Sequence, residues 1–244
     1  MTRSPRPVEF LDPGGLTFVE HPPPTLSPWE RSEVDRLWEE TRACNPATFD
    51  GPLVASLKVD RTASGRLVVG WAPMTYRSRA LRRLRPPERV PGSVFVTVLL
   101  PTDEGLVVGR GSPATAAPGR WTLPGGAAEP PPPGTPLDTE VLRRHAAREL
   151  VEETGVLVAD GQLTLWGLTR GLRFGSLGFH FLCPPTSAAL VRRTWADLPA
   201  AQTTGRGDGP ELDALAFVPA PDRVDRLGPT ADYLPQVLDR YFAA

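Results

Sequence analysis

The chain has 244 residues, with 27 Lys plus Arg against 28 Asp plus Glu and a formal net charge of −1. That length buries a proper core in one or two domains, and the charge balance argues against a protein that holds nucleic acid or an anionic membrane by bulk charge. Thirty prolines and 23 glycines approach a low-complexity composition, yet 40% of residues are apolar and six are Trp, so the prolines punctuate a folded chain. No run reaches the ~18 apolar residues of a membrane span, and Met-Thr-Arg-Ser-Pro-Arg-Pro at the start lacks the apolar stretch of a signal peptide. Cys44 and Cys183 lie far apart without metal-type spacing and read as reduced thiols. The expectation is a soluble cytoplasmic protein with no membrane and no nucleic-acid partner.

Ser27-Pro28-Trp29-Glu30 offers a capping Ser, Pro at the first helical position and Glu three residues after the cap, so a helix starts there. Val34, Leu37, Trp38 and Thr41 share one face of it, and Asn45-Pro46 ends it. Phe49 to Val59 and Arg66 to Trp71 read as strands about the turn Thr62 to Gly65, and Ser78 to Leu84 as a short basic helix. Arg85 to Gly92, with Pro86, Pro87 and Pro91, reads as a linker. Beyond it come strands at Ser93 to Leu100 and Leu106 to Arg110, the turn Leu123-Pro124-Gly125-Gly126, a proline-rich loop and a strongly helical stretch ending at Gly155. Strands at Gln162 to Thr169, Gly178 to Cys183 and Leu212 to Val218 follow, then a closing helix from Tyr233 to Phe242. Strands mixed with separate helices predict an α/β or α+β sandwich and exclude a bundle.

The helical stretch carries the chemistry. At about 100° per residue, Glu152 lies about 60° to one side of Glu149 and Glu153 about 40° to the other, so the carboxylates share a face. Like charges there repel, and a cation offsets the cost; oxygen-only ligands suit Mg²⁺. Ala146, Ala147, Leu150 and Val151 supply apolar backing, and Gly155 the helix stop.

Glu140, Arg148, Glu149, Leu150, Glu152, Glu153, Gly155 and Val156 fill every specified place of a pattern that resembles the Nudix hydrolase signature, a chance match on the order of one in a million. The likeness covers about residues 93 to 240 and implies a Nudix-type α/β/α sandwich with a mixed sheet over residues 89–244, preceded by a small α+β amino-terminal module over residues 1–88. One departure is present. The family's glycine stands six residues before the first Glu, as Gly134 does, but the natural partner of Leu-Pro-Gly-Gly is Gly126, fourteen residues before Glu140. This suggests an eight-residue insertion within Ala127 to Leu137. If the helix begins at Thr135-Pro136, Glu140 points about 180° from Glu149 and supports Arg143, Arg144 or Arg148 instead of a metal.

What the resemblance implies is hydrolysis of a nucleoside diphosphate linked to another group, with Mg²⁺ or alternatively Mn²⁺ as cofactor. By carry-over Glu149, Glu152 and Glu153 are metal ligands and Arg148 orients Glu149, with Gly125, Gly126 and Gly155 shaping the site. Glu211 is the leading general-base candidate, with Asp208 and Asp213 as competitors and a solvated loop acid as the bland reading. A small-molecule nucleotide is the expected partner, and a homodimer is compatible with the family.

A second resemblance concerns the substrate. Asn45 to Pro52 and Met74-Thr75-Tyr76-Arg77 look like the amino-terminal region of the animal Nudix enzyme that cleaves UDP-glucose and UDP-galactose. It implies UDP-sugar hydrolysis to UMP and sugar 1-phosphate, with Tyr76 on uracil and Arg77 on phosphate; the competing reading of Tyr76 is core packing, and the alternatives for the whole protein are the same chemistry on ADP-ribose, a dinucleotide, an oxidised nucleoside triphosphate or a pathway-specific nucleotide intermediate, or a nucleotide sensor without turnover. The arginines Arg77, Arg79, Arg82, Arg83, Arg85 and Arg89 read either as an exposed basic face or as a lure for an anionic substrate. His145, one turn before Glu149 and on the same side of the helix, reads as a surface histidine or alternatively as a contact to phosphate or a metal-bound water; Trp121 and Phe174 read as cleft wall or core, and His180 as facing away from Phe179 and Phe181, toward either cleft or solvent.

Overall fold

The structure is a computed structural model and describes residues 7–115, 117–159, 161–198 and 210–243. In chain order it comprises β1 (Val8–Leu11), β2 (Leu16–Glu20), α1 (Pro28–Cys44), β3 (Pro52–Arg61), β4 (Leu67–Thr75), β5 (Gly92–Leu99), β6 (Pro101–Thr102), β7 (Gly105–Gly111) and β8 (Trp121–Thr122). Then follow α2 (Thr139–Thr154), β9 (Thr164–Gly171), β10 (Leu177–Leu182), α3 (Ala188–Ala196), β11 (Leu212–Val218) and α4 (Leu234–Phe242). Tyr76–Arg83, Pro87–Arg89 and Pro221–Arg226 are 3₁₀ turns.

Helix α1 starts where the capping chemistry requires. The Glu30 amide donates to Ser27 Oγ at 3.2 Å, and the Ser27 amide donates to the Glu30 carboxylate at 2.8 Å. Val34, Leu37 and Trp38 form its buried face. Strand β5 is buried on both faces, which is why its sequence is a nearly unbroken apolar run.

A mixed seven-stranded sheet runs in the order β1-β9-β10-β5-β3-β4-β2, with β10 parallel to β5 and β2 parallel to β4. A second sheet, β11-β7-β6, takes β8 onto β7. Val94, Val96 and Val98 of β5 and Phe179 and Phe181 of β10 pack with Leu142, Ala146 and Leu150 of α2 and Val191 of α3. On the other side Phe95, Trp166 and Leu182 meet Leu234, Val237 and Leu238 of α4. The sheet thus lies between helices, as an α/β/α sandwich.

Segments 1–88 and 89–244 share this sheet: Ala55 and Ser56 of β3 pair with Ser93 and Gly92 of β5, and β1 pairs along β9. Among the described residues, no helix is long and apolar enough to cross a membrane. Both cysteines are free, Cys44 exposed and Cys183 buried.

Three expectations are corrected. Helix α2 begins after Asp138, whose side chain accepts from the Val141 amide at 2.7 Å, and not at Thr135. Leu137 is buried at 4% exposure, and the extended backbone that carries it inward forbids an earlier start. The basic segment is a 3₁₀ turn over Tyr76–Arg83, and the first long strand begins at Pro52 because Phe49 stays exposed. The short strands β1 and β2 and helix α3 had no sequence expectation.

Candidate active site

The turn after β8 and the last two turns of α2 meet face to face. Gly125 has φ of 147°, and a Cβ there would lie 2.1 Å from the Val96 carbonyl oxygen, so only glycine fits. Its amide donates to Glu153 Oε2 at 2.7 Å. A Cβ on Gly126 would sit 2.6 Å from Glu149 Oε2, so the missing side chain is what lets backbone and carboxylate approach. Leu142, Ala146 and Leu150 hold the opposite helix face in the core.

Glu149 and Glu153 are 2% and 5% exposed. Glu211, exposed at the entrance to β11, joins them: ligand oxygens of all three lie within 4.8 Å of one another. Its backbone is fixed by the Ser112 amide, which donates to the Glu211 carbonyl at 2.9 Å. Burial, reinforced by Glu149 and then Glu211, pushes the Glu153 carboxyl well above the usual carboxylate range, and burial followed by Glu149 raises Glu152. Withdrawn, mutually repelling carboxylates with oxygen-only donors are the set a hard divalent cation neutralises, so the residues fit Mg²⁺ or Mn²⁺. Glu152 stands outside the converging set, its carboxylate 3.8 Å from Arg148 Nε.

His145 corrects the expectation of a surface histidine: it is 8% exposed, with Nε2 2.8 Å from Glu149 Oε1. The Glu129 amide donates to Nδ1 at 3.2 Å, and Nε2 is shared between the Glu149 carboxylate at 2.8 Å and Arg148 Nη2 at 3.0 Å. One imidazole therefore ties the proline-rich loop to α2. Arg148 lies 3.3 Å from Glu129, 3.8 Å from Glu152 and 4.0 Å from Glu149, offsetting several acids rather than gripping Glu149 alone. Glu140 sits in the first turn of α2 and pairs with Arg143 at 2.5 Å and Arg144 at 3.9 Å.

The other sequence-selected residues lie elsewhere. Arg77 binds Asp35 at 3.0 Å and Asp50 at 2.5 Å, while Tyr76 packs edge-on against Trp38 with Arg79 over its ring. Trp121 is core, its Nε1 donating to the Leu227 carbonyl at 2.8 Å. Asp213 pairs with Arg110 at 2.7 Å, and Asp208 lies outside the described residues. His180 faces neither solvent nor a cleft. Fully buried, it bonds Thr97 at 2.7 Å and Thr169 at 2.8 Å, meets Phe95 edge-on and lies tilted against Tyr233. Tyr233 in turn holds the Thr122 hydroxyl at 2.5 Å and the Leu123 amide at 3.3 Å, bracing the strand that leads to Gly125.

The spacing of His145, one turn before Glu149, already brings the two side chains together, whereas Glu129, in the loop before α2, carried no sequence signal.

The sandwich fold, the glycine turn and the carboxylate cluster on α2 all agree with the signature carried by residues 140–156. The chain belongs to the Nudix family: residues 90–236 match the family model described as NUDIX domain. Among solved structures, it is 18% identical to the MutT protein from Methanosarcina mazei Go1, covering 62% of this chain and 93% of that one, with a TM-score of 0.42. It is 20% identical to a NUDIX hydrolase from Alicyclobacillus acidocaldarius, covering 63% and 92%, with a TM-score of 0.44. The NUDIX domain of Shewanella oneidensis NrtR, solved with ADP ribose, is 17% identical over 68% of this chain and 96% of that one, with a TM-score of 0.42. A comparison with curated proteins gave no match.

Proposed function

We propose that the protein hydrolyses the diphosphate bond of a nucleoside diphosphate linked to a second group. The observation that carries the reading is the convergence of Glu149, Glu153 and Glu211 about the Gly125-Gly126 turn. Glu149 and Glu153, with Glu152 beside them, are assigned as ligands of Mg²⁺ or Mn²⁺. When bound, such an ion offsets the charge of the diphosphate and lowers the pKa of water.

The chain's own groups do the rest. His145 Nε2 holds the Glu149 carboxylate in place, and the Gly125 amide does the same for Glu153. A ligating carboxylate must be ionised, so Glu153 would have to give up the proton that its burial favours in order to hold a cation. Glu211 is assigned as the general base that accepts a proton from the attacking water, a reading supported by its exposure beside the two buried carboxylates. Arg148 compensates Glu129 and Glu152, so an incoming diphosphate meets less repulsion.

For the substrate, the amino-terminal likeness makes a UDP-sugar the first choice, in a cytoplasmic setting. The test is a panel of UDP-glucose, UDP-galactose, ADP-ribose, a dinucleotide and an oxidised nucleoside triphosphate, with saturating Mg²⁺ or with chelator. UMP released from UDP-glucose in Mg²⁺ alone is the expected result. Monophosphate from another member overturns the UDP-sugar choice, and release from none overturns the hydrolase reading.

A further inference from the structure

The arginines at the end of β4 divide into two sets. Arg77, Arg83 and Arg85 are neutralised, by Asp35 and Asp50, by Glu40 at 3.4 Å and by Glu30 at 2.7 Å. Arg79 and Arg82 are not. Among the described residues neither has a carboxylate within 4.0 Å, and each buries an Nε that has no hydrogen-bond acceptor.

Arg82 Cζ lies 4.8 Å from the centre of the Phe174 ring, and Arg173, from the turn between β9 and β10, lies 4.9 Å from the same ring, also without a carboxylate among the described residues. Arg79 lies 4.8 Å from the Tyr76 ring. Burial lowers the Arg82 pKa to about 10; Arg79 and Arg173 add to the lowering, while Tyr76 and Asp232 oppose it. Ser176 Oγ accepts from Arg82 Nη2 at 3.4 Å and from the Ser93 amide at 3.3 Å, which leaves its hydroxyl proton free to donate.

We propose that Arg79, Arg82 and Arg173, with Ser176, form an anion site that takes a phosphoryl group and is separate from the carboxylate centre. Guanidinium donors drawn together without acid partners, two of them with unsatisfied buried Nε atoms, need an acceptor with several oxygens. A tetrahedral phosphoryl dianion presents oxygens in enough directions to meet all three, whereas a lone carboxylate presents two. The aromatic faces are already covered by guanidinium groups, so the ligand is recognised by its charge. Ser93 lies three residues before Val96, the residue under Gly125, so the site stands about 10 Å along β5 from the catalytic turn. Both a phosphoryl group carried by a nucleotide and free phosphate have the chemistry it accepts.

Thermal unfolding of the full chain in chelator, where the carboxylate centre holds no metal, tests this apart from catalysis. Inorganic phosphate should raise the melting temperature above that in chloride at equal ionic strength. Arg82→Gln and Arg173→Gln should each raise the half-saturating phosphate concentration at least ~10-fold, roughly the loss of one charge-assisted contact. Arg83→Gln should leave it unchanged. Arg173 is exposed, so its variant keeps the test decisive even where Arg82→Gln fails to fold. UMP binding at least ~10-fold tighter than phosphate, and weakened by Arg173→Gln, assigns the site to a nucleotide; equal affinities assign it to free phosphate. No phosphate-specific shift, or variants that respond like the parent chain, overturns the proposal. Failure of the hydrolase reading shows instead as no monophosphate release with Mg²⁺, whatever the phosphate titration gives.

Discussion

Glu153 works against its own surroundings: buried beside Glu149 and Glu211, it is easier to keep protonated than ionised. Glu153→Gln removes that conflict and one cation ligand together. It should lower turnover at least ~100-fold while leaving the metal-free melting temperature unchanged or higher, measured by steady-state assay and by unfolding in chelator. His180 shows the opposite logic. Burial lowers its pKa from 6.5 to about 3, so above pH 6.5 it is neutral in both states and its contribution to stability is fully present. Below pH 6.5 the unfolded chain takes up a proton that the folded chain refuses, and stability falls as pH drops toward the folded pKa of about 3. Urea unfolding between pH 6.5 and 4.5 should show an excess slope that grows toward about 1.4 kcal/mol per pH unit at the acid end in the parent chain relative to His180→Gln. The acids of α2 were legible because a helix repeats at fixed angles. The burial of His145 was not, since it depends on Glu129 in a loop that has no repeat.

At the scale of elements, α2 is anchored at both ends by single residues. Gly155 closes it with φ of 71°, and a Cβ there would meet the Thr194 carbonyl oxygen of α3 at 2.6 Å. Gly155→Ala therefore strains the backbone and pushes the two helices apart. We expect a stability loss above ~1 kcal/mol by urea titration, with the remaining folded enzyme still active. Gly155 could be read from the sequence because a helix stop is a local event. The start of α2 could not: Thr135-Pro136 offers a plausible cap, and the start at Asp138 instead goes with burial of Leu137, a tertiary fact. The same limit explains β1 and β2, only four and five residues long.

Across the whole molecule, local signals found most strands but not their partners. The prolines between Arg85 and Gly92 suggest two modules, whereas β3 is hydrogen-bonded to β5 across that boundary and β1 lies on β9. Deleting residues 1–88 uncovers the paired edges of β5 and β9, which are apolar templates for association. The truncated chain should aggregate or lose its cooperative unfolding transition, and a soluble, cooperatively folding fragment 89–244 in light scattering and calorimetry would contradict this.

The Val54 amide also donates to the Ala128 carbonyl at 2.7 Å, two residues past Gly126. A slip of β3 by one residue exchanges its faces and carries that anchor away, with no carboxylate changed. The catalytic turn thus inherits its position from the β3–β4 hairpin, so selection for activity also acts on residues there that never meet a substrate.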